Sequence, residues 1–244
     1  PVFMGCIDCE AGAIGSGVAQ AGELSLVAGT WSINQMFVDY LPRRRDFFLV
    51  NPSVLPGRWL VLEGSPTSAA NLDWAVRAFG GGDIAGAMRL VESTPRSHAL
   101  FVPRVPTGEG VFRGIGATHG PGELLRAVVE GVAFGHRVHV EKLVGRQRGS
   151  RRVRLAGGLA RSPFGAQLFA DVLGCTVEVP TGDEIGALGA ALCAGVGVGV
   201  WSTLHQAQIA AVHVERVYTP RLAVHTELTR DFVRFVRAWS FSAL

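Results

Sequence analysis

The sequence predicts an α/β domain with a mixed β-sheet flanked by helices. The N-terminal part holds β-rich runs separated by turn residues, which is typical of antiparallel strands. From Ser68 the spacing of apolar residues changes to about 3.6, and in the last third short apolar runs alternate with helical patterns. With 48% hydrophobic and 18% charged residues among 244, the chain can bury a core of this kind, so a disordered chain is excluded.

The opening residues predict a strand over residues 2–7, followed by a helix or turn made of small residues and reaching Gln20. The chain opens at Pro1 rather than Met, in what looks like the middle of a strand. We therefore expect the chain to be part of a longer protein.

Three antiparallel strands are predicted next. Residues 23–29 and 31–38 are β-rich runs, and Gly29-Thr30 lies between them where a tight hairpin turn fits. Residues 58–63 are predicted as the third strand.

Two long helices follow in the predicted order. The first covers residues 68–79 and stops at three glycines from Gly80 onward. The second begins with Gly120 at the cap and Pro121 at the first helical position, and it should run to about Val144.

The last third alternates strands and helices. Strands are predicted over 153–156 and 175–179, and helices over 162–173 and from the capping box at 181–184 through 194. Gly157-Gly158 turn the chain after the first of these strands, and Ser162 is predicted as an N-cap. Residues 181–184 (TGDE) are predicted as a capping box. A strand, a glycine-rich turn and a helix in succession are typical of phosphate or nucleotide sites.

Two familiar nucleotide motifs are excluded. Residues 114–120 (GIGATHG) have one residue too many for G-x-G-x-x-G, and the chain has no G-x-x-x-x-G-K-[ST]. The dinucleotide-binding and P-loop interpretations therefore lose support, in keeping with a mixed sheet rather than an all-parallel one.

The net charge of +3 suits an anionic small molecule such as a nucleotide and falls short of what duplex nucleic acid needs. The two basic clusters, at 43–45 and 146–154, are predicted as solvated loops. The longest uncharged run, 185–201, is shorter than the roughly 20 residues of a membrane span and is predicted as a buried helix plus a turn. We expect no nucleic-acid partner and no membrane partner.

The four cysteines make no disulfide framework, and the single C-x-x-C at Cys6 and Cys9 lacks a second pair for zinc. A redox role for that pair is disfavoured because nothing else thioredoxin-like follows. We expect reduced, buried thiols and a cytoplasmic protein. The histidines show no H-x-x-x-H or H-E-x-x-H pattern, so no protein-held metal is expected.

Three segments carry a resemblance to a known family: residues 110–130 (GVFRGIGATHGPGELLRAVVE), 155–162 (LAGGLARS) and 183–191 (DEIGALGAA). Together they resemble the C-terminal half of the FGGY carbohydrate kinases, which belong to the actin-like, ribonuclease H-like ATPase superfamily. The resemblance implies that residues 1–22 are the tail of an N-terminal domain and an interdomain segment. It implies that residues 23–244 are the C-terminal ATPase-fold domain.

The resemblance also implies roles for site residues. Asp8 stands where these kinases carry the aspartate that takes the proton from the accepting hydroxyl, although Cys9 next to it replaces a residue that is often polar in the family. Gly29 and Thr30 resemble the second phosphate-binding hairpin. The segment with Gly157, Gly158 and Ser162 resembles the adenosine loop.

The expected function is ATP-dependent phosphorylation of a sugar or polyol, with magnesium arriving on ATP and the N-terminal domain of the same enzyme as a required partner. Residues 29–35 and 63–72 resemble the L-xylulose and erythritol kinase branches more than glycerol kinase. Two alternatives stay open: a non-catalytic nucleotide-binding module and an actin-like or chaperone-like assembly ATPase. The sugar is not identified by the sequence, and a homodimer is left open.

Overall fold

The computed structural model describes residues 2, 5–43, 46–66, 68–104, 109–145 and 152–240. Within them the strands are β1 Leu24–Ala28, β2 Ser32–Val38, β3 Leu49–Pro52, β4 Trp59–Ser65, β5 Leu100–Arg104, β6 Glu109–Arg113, β7 Val153–Ala156, β8 Val177–Pro180 and β9 Val214–Tyr218. The helices are α1 Asp8–Gly15, α2 Ala69–Phe79, α3 Ile84–Ser93, α4 Pro121–Val144, α5 Gly158–Arg161, α6 Pro163–Leu173, α7 Ile185–Gly197, α8 Leu204–Ala211 and α9 Leu222–Ser240.

Seven of these strands form one mixed sheet in the order β3-β4-β2-β1-β7-β8-β9. The pairs β1 with β7 and β7 with β8 are parallel, and the other pairs are antiparallel. The predicted α/β fold with a mixed sheet is confirmed. Strands β5 and β6 form a separate hairpin.

Alternate residues of the central strands face opposite layers of helices. Met36 and Val61 lie in the larger core, which also takes in apolar side chains of α2, α4, α6 and α9. Phe37 and Leu60, their chain neighbours, lie in a smaller core with residues of α1, α7 and α8. This period of two is the pattern of a strand buried on both faces.

Several predicted elements have the bounds that local signals indicated. α4 begins at Pro121 after Gly120, and the Glu123 side chain accepts a hydrogen bond from the Gly120 N–H at 3.0 Å. The Ser162 hydroxyl caps α6 by accepting from the Gly165 N–H at 3.3 Å. Caps act over three or four residues, which is why the sequence alone locates them.

The capping box predicted at 181–184 is wrong. α7 begins at Ile185 with Glu184 as its N-cap, and no side chain caps it. Thr181 instead bonds the His213 carbonyl through both its N–H and its hydroxyl, at 2.9 and 3.3 Å, so it belongs to the sheet edge. The prediction that residues 185–201 form a buried helix plus a turn is also wrong in part. Only one side of α7 is covered, and four alanines are exposed: Ala187, Ala190, Ala191 and Ala194.

The opening strand is not formed by residue 2 or residues 5–7, while residues 3–4 of that prediction lie outside the described residues. The basic clusters fall mostly outside as well, at 44–45 and 146–151. In the described part of the chain, no helix combines the length and apolar character that a membrane crossing requires.

Candidate active site

The three parallel strands end at one edge of the sheet, and the predicted nucleotide residues lie on the loops that follow them. β1 leads into Gly29-Thr30, β7 leads into Gly157-Gly158, and β8 leads into residues 181–184. The register pairs Val27 with Ala156, so the first two loops start side by side. In open α/β sheets this carboxyl edge is where ligands bind.

Gly157 packs directly against the end of β1. Its φ of +94° lies in the region that L side chains rarely adopt. A Cβ built on it would come within 2.6 Å of the Ala28 carbonyl carbon and 2.9 Å of the Gly29 nitrogen. Gly158, by contrast, would point a Cβ into open space. The close contact therefore joins the predicted adenosine loop to the predicted phosphate hairpin through Gly157 alone.

The hairpin is held by the N-terminus of α2. The Ser68 N–H donates to the Thr30 carbonyl at 3.1 Å, and the Ala69 N–H donates to the Gly29 carbonyl at 2.9 Å. These bonds satisfy two of the N–H groups that a helix start leaves open. The groups that the turn can still offer a ligand are its N–H groups and the exposed Thr30 hydroxyl.

Asp8 is the first residue of α1, and its side chain is exposed. Its Oδ1 accepts the Cys9 N–H at 2.7 Å. The first turn is fixed from both sides: Gln35 of β2 donates to the Cys9 carbonyl at 2.6 Å, and the buried Glu10 accepts from Ser53 and Val54 at 2.6 and 3.0 Å. The carboxylate thus stands at a defined place while remaining open to solvent.

α1 and α7 touch backbone to backbone. A Cβ on Gly15 would overlap the Ile185 carbonyl, and a Cβ on Gly189 would overlap the Ala11 carbonyl. Small residues at these positions let the helices approach closely. This contact sets the first turn of α7 beside Asp8.

A cavity of about 550 Å³ lies beside Asp8 and the first turn of α7, and Gly29 and Thr30 are not among the residues that line it. It is lined by Asp8, Cys9 and Gly12 of α1, Ile185 and Gly186 of α7, Val27, Trp31 and Ile33 around the hairpin, and Phe48, Leu49 and Leu62. Asp8 is the one charged residue in this set. Burial first, and then the nearby Asp8 charge, raise the pKa of the Cys9 thiol to about 11, so Cys9 adds a neutral side chain.

The predicted residues share the sheet edge but not one cavity. Gly157 lines a second, small cavity of about 70 Å³, together with Asp183 and residues of β7 to β9. The segment from Asp183 to Ile185 separates the two spaces, because Asp183 faces one and Ile185 the other. Ser162, at the far end of the four-residue α5, lines neither cavity.

Sequence reasoning missed a buried polar network behind the hairpin. His136 of α4 is fully buried; its Nδ1 lies 2.7 Å from Asn34 Oδ1, and its Nε2 lies 3.2 Å from Ser68 Oγ. Since an amide oxygen only accepts, Nδ1 is assigned the proton. Asn34 also donates to Ser32 at 3.0 Å. The signal in the sequence was the pair Ser32 and Asn34, two polar residues on the same face of the buried strand β2.

The network should make the protein sensitive to acid. Burial, with a smaller effect of His139, lowers the pKa of His136 to about 3 from an ordinary value of 6.5. Between these two values the unfolded chain binds one proton more than the folded one. The free energy of unfolding should therefore fall with decreasing pH, by about 1.4 kcal/mol per pH unit from this group.

Urea unfolding at a series of pH values measures this slope, and a His136→Gln variant should lose it. NMR of the imidazole provides an independent check, because the His136 ring should keep its neutral Nδ1–H form between pH 5 and 8. A ring that titrates near 6.5 would contradict the assignment.

Within the described residues, no three His, Cys, Asp or Glu side chains are grouped closely enough to hold a metal ion. The cavity offers one carboxylate, that of Asp8. This donor set fits an ion that keeps most of its ligands from water and from a bound phosphate, as Mg²⁺ commonly does.

The chain is similar to known kinases over nearly its whole length. It is 30% identical over 244 residues to the L-xylulose/3-keto-L-gulonate kinase of Escherichia coli K12, an alignment that covers 96% of this chain and 49% of the relative. It is 34% identical over 223 residues to a probable L-xylulose kinase of Pasteurella multocida, covering 88% of this chain and 46% of the relative. The chain spans about half the length of the curated relatives it matches.

Solved structures agree on the fold. The xylulose kinase of Lactobacillus acidophilus superposes with a TM-score of 0.87 at 18% identity, covering 96% of this chain and 50% of that one. The xylulose kinase of Rhodospirillum rubrum gives 0.86 at 22% identity, covering 99% and 51%. The expected actin-like ATPase fold is thereby confirmed.

Residues 86–198 match the C-terminal domain of the FGGY family of carbohydrate kinases. This range contains all three segments on which the resemblance in the sequence rests. Residues 86–198 of this chain are therefore assigned to the C-terminal domain of the FGGY family of carbohydrate kinases.

Proposed function

We propose that this chain is the ATPase-fold half of an ATP-dependent carbohydrate kinase, which transfers the γ-phosphoryl group of ATP to a hydroxyl of a sugar or polyol. The observation that supports it best is the position of Asp8, at a cavity bordered by the hairpin and the first turn of α7. The kinases of L-xylulose among its relatives support the same class of acceptor.

In this proposal Asp8 is the general base. A hydroxyl is a weak nucleophile at neutral pH, and a carboxylate within hydrogen-bond reach can take its proton as the O–P bond forms. One oxygen of Asp8 already accepts the Cys9 N–H, which orients the carboxylate and leaves the other oxygen for the acceptor hydroxyl.

The nucleotide would lie along the edge of the sheet. Gly29 and Thr30 would hold the β-phosphate with N–H groups and a hydroxyl, since their carbonyls are bound to α2. Gly157 and Gly158 would lie flat under the adenosine, a role supported by the open space in front of Gly158. The Ser162 hydroxyl accepts from Gly165 and so keeps its own proton to donate.

ATP would bind as its magnesium complex, in which the positive charge of the ion offsets the negative charge of the phosphates. The transfer is mostly positioning plus charge stabilisation in a dry site, so a second wall should close over the cavity. We propose that this wall is an N-terminal half, joined through residues 1–22 to the ATPase-fold domain at 23–244. The chain by itself should bind nucleotide weakly and turn over little sugar.

We also place the enzyme in the cytoplasm. The four cysteines form no disulfide among the described residues, and reduced thiols fit a reducing compartment.

The test is phosphoryl transfer by this chain when it is joined to its N-terminal half. ADP release should depend on added carbohydrate when a panel of ketopentoses and polyols is supplied, and ³¹P NMR should show a sugar phosphate. Nucleotide binding without any transfer would instead favour the non-catalytic binding module. ATP hydrolysis coupled to filament formation would favour an assembly ATPase.

A further inference from the structure

Two large aromatic side chains are exposed at the cavity that holds Asp8. Trp31 is 47% exposed and Phe48 is 61% exposed, and both line the cavity. Trp31 is the last residue of the three-residue turn between β1 and β2, while Phe48 lies just before β3. Aromatic side chains that line a cavity of this size are typical of a small-molecule site.

The cavity floor is apolar because side chains of one sheet face line it. Phe37 and Leu60 on this face are fully buried by residues of α1, α7 and α8. Towards the carboxyl edge the same face continues with Ile33 and Leu62, each an even number of residues along its strand, and these line the cavity. A ligand in the cavity would contact apolar side chains of the sheet, and Asp8 is the one charged residue in the cavity lining.

Both aromatic residues are attached to rigid parts of the fold. The N–H of Phe48 donates to the buried carboxylate of Glu63 at 3.0 Å, and Lys142 Nζ lies 2.8 Å from the same oxygen. Burial alone would raise the pKa of Glu63, but hydrogen bonds from His139, Lys142 and Phe48 outweigh it and lower the pKa, so the carboxylate is charged at neutral pH. Trp31 is held by the hairpin, whose carbonyls are bound to α2.

We infer that Trp31 and Phe48 determine which acceptor the enzyme takes. They contact the C–H groups along one side of the carbohydrate while one hydroxyl reaches Asp8, and they select the acceptor by shape. This inference rests on the proposed function. It implies that this half contributes a hydroxyl contact at Asp8 and apolar contacts elsewhere, so the remaining hydroxyls are recognised from the opposite wall.

The test uses Trp31→Ala and Phe48→Ala in the enzyme joined to its N-terminal half, with the best acceptor of the wild type. Each variant should raise the acceptor KM roughly tenfold or more, since apolar contacts of this size discriminate by about 10- to 200-fold. The KM for ATP should change less than twofold. Trp31→Phe, which keeps an aromatic ring, should restore most of the acceptor affinity.

Tyr40→Ala is the matched control. Tyr40 is also a strongly exposed aromatic residue, at 56%, but it follows β2 at the opposite edge of the sheet and lines a different cavity. This variant should leave both KM values unchanged.

Three outcomes would overturn the inference. Acceptor KM could stay at the wild-type value, both KM values could rise together as in a general loss of structure, or the variants could weaken only the association with the N-terminal half. A wild-type enzyme that phosphorylates no carbohydrate would contradict the proposed function itself. That result differs from the three outcomes above, which concern only the role of Trp31 and Phe48.

Discussion

Asp8→Asn should lower kcat by roughly 10²- to 10⁴-fold, the range that general-base assistance supplies. Asn keeps the size of the side chain and can still accept the Cys9 N–H through its amide oxygen, but it cannot take a proton. Because Asp8 is exposed and its bond is local, the variant should fold like the wild type. ADP release with a saturating acceptor measures the loss, and KM for ATP should stay within about twofold.

A matched control is Asp39→Asn. Asp39 is an exposed carboxylate as well, but it lies just after β2, where its ion pair with Arg58 at 3.4 Å is at the opposite edge of the sheet. Its substitution should leave kcat unchanged. Retention of more than a few per cent of wild-type turnover by Asp8→Asn would remove the general-base role, whereas an equal loss in both variants would point to a general effect of charge.

The elements that the sequence located are those whose signals are local. α4 and α6 begin at a proline that follows a cap residue, and both begin where expected. β1, β2 and β4 were found because their apolar runs are bounded by turn residues. The missed strands are short or at an edge. Four of the five residues of β9 are charged or exposed, so the periodicity of apolar residues does not indicate this strand.

Non-local contacts account for the error at residues 181–184 and for the residues missed at the site. Residues 181–184 have the composition of a capping box. The Thr181 hydroxyl nevertheless donates to the carbonyl of His213, which lies more than thirty positions away in the sequence. His136 shows the same limit at the site. It meets Ser32 and Asn34 from about one hundred positions along the chain, and no local pattern indicates such a partner. Trp31 and Phe48 were missed because only the folded sheet shows that they border one cavity.

The paired glycines illustrate how the structure refines a motif. In the sequence Gly157 and Gly158 are equivalent members of one loop. In the fold, Gly157 is required by the protein's own packing, because a side chain there would meet Ala28 and Gly29. Gly158 has no such neighbour, so any need for glycine at this position must come from a ligand.

This difference gives two opposite expectations for neighbouring alanine substitutions. Gly157→Ala should destabilise the chain by about 2–5 kcal/mol, from a backbone conformation that disfavours alanine and from overlap with β1. Gly158→Ala should change the free energy of unfolding by less than about 0.5 kcal/mol, as is usual for an exposed position. Urea unfolding of the chain measures both values.

Measuring the KM for ATP then shows whether glycine is required at position 158 for contact with the nucleotide or only at position 157 for packing within the fold. If adenosine lies on this loop, Gly158→Ala should raise the KM for ATP roughly tenfold, equivalent to about 1.4 kcal/mol, in an enzyme of normal stability. Unchanged ATP affinity in that variant would place the adenosine elsewhere. A Gly157→Ala variant as stable as the wild type would contradict the close packing of β7's loop on the hairpin, and with it the geometry on which the nucleotide site depends.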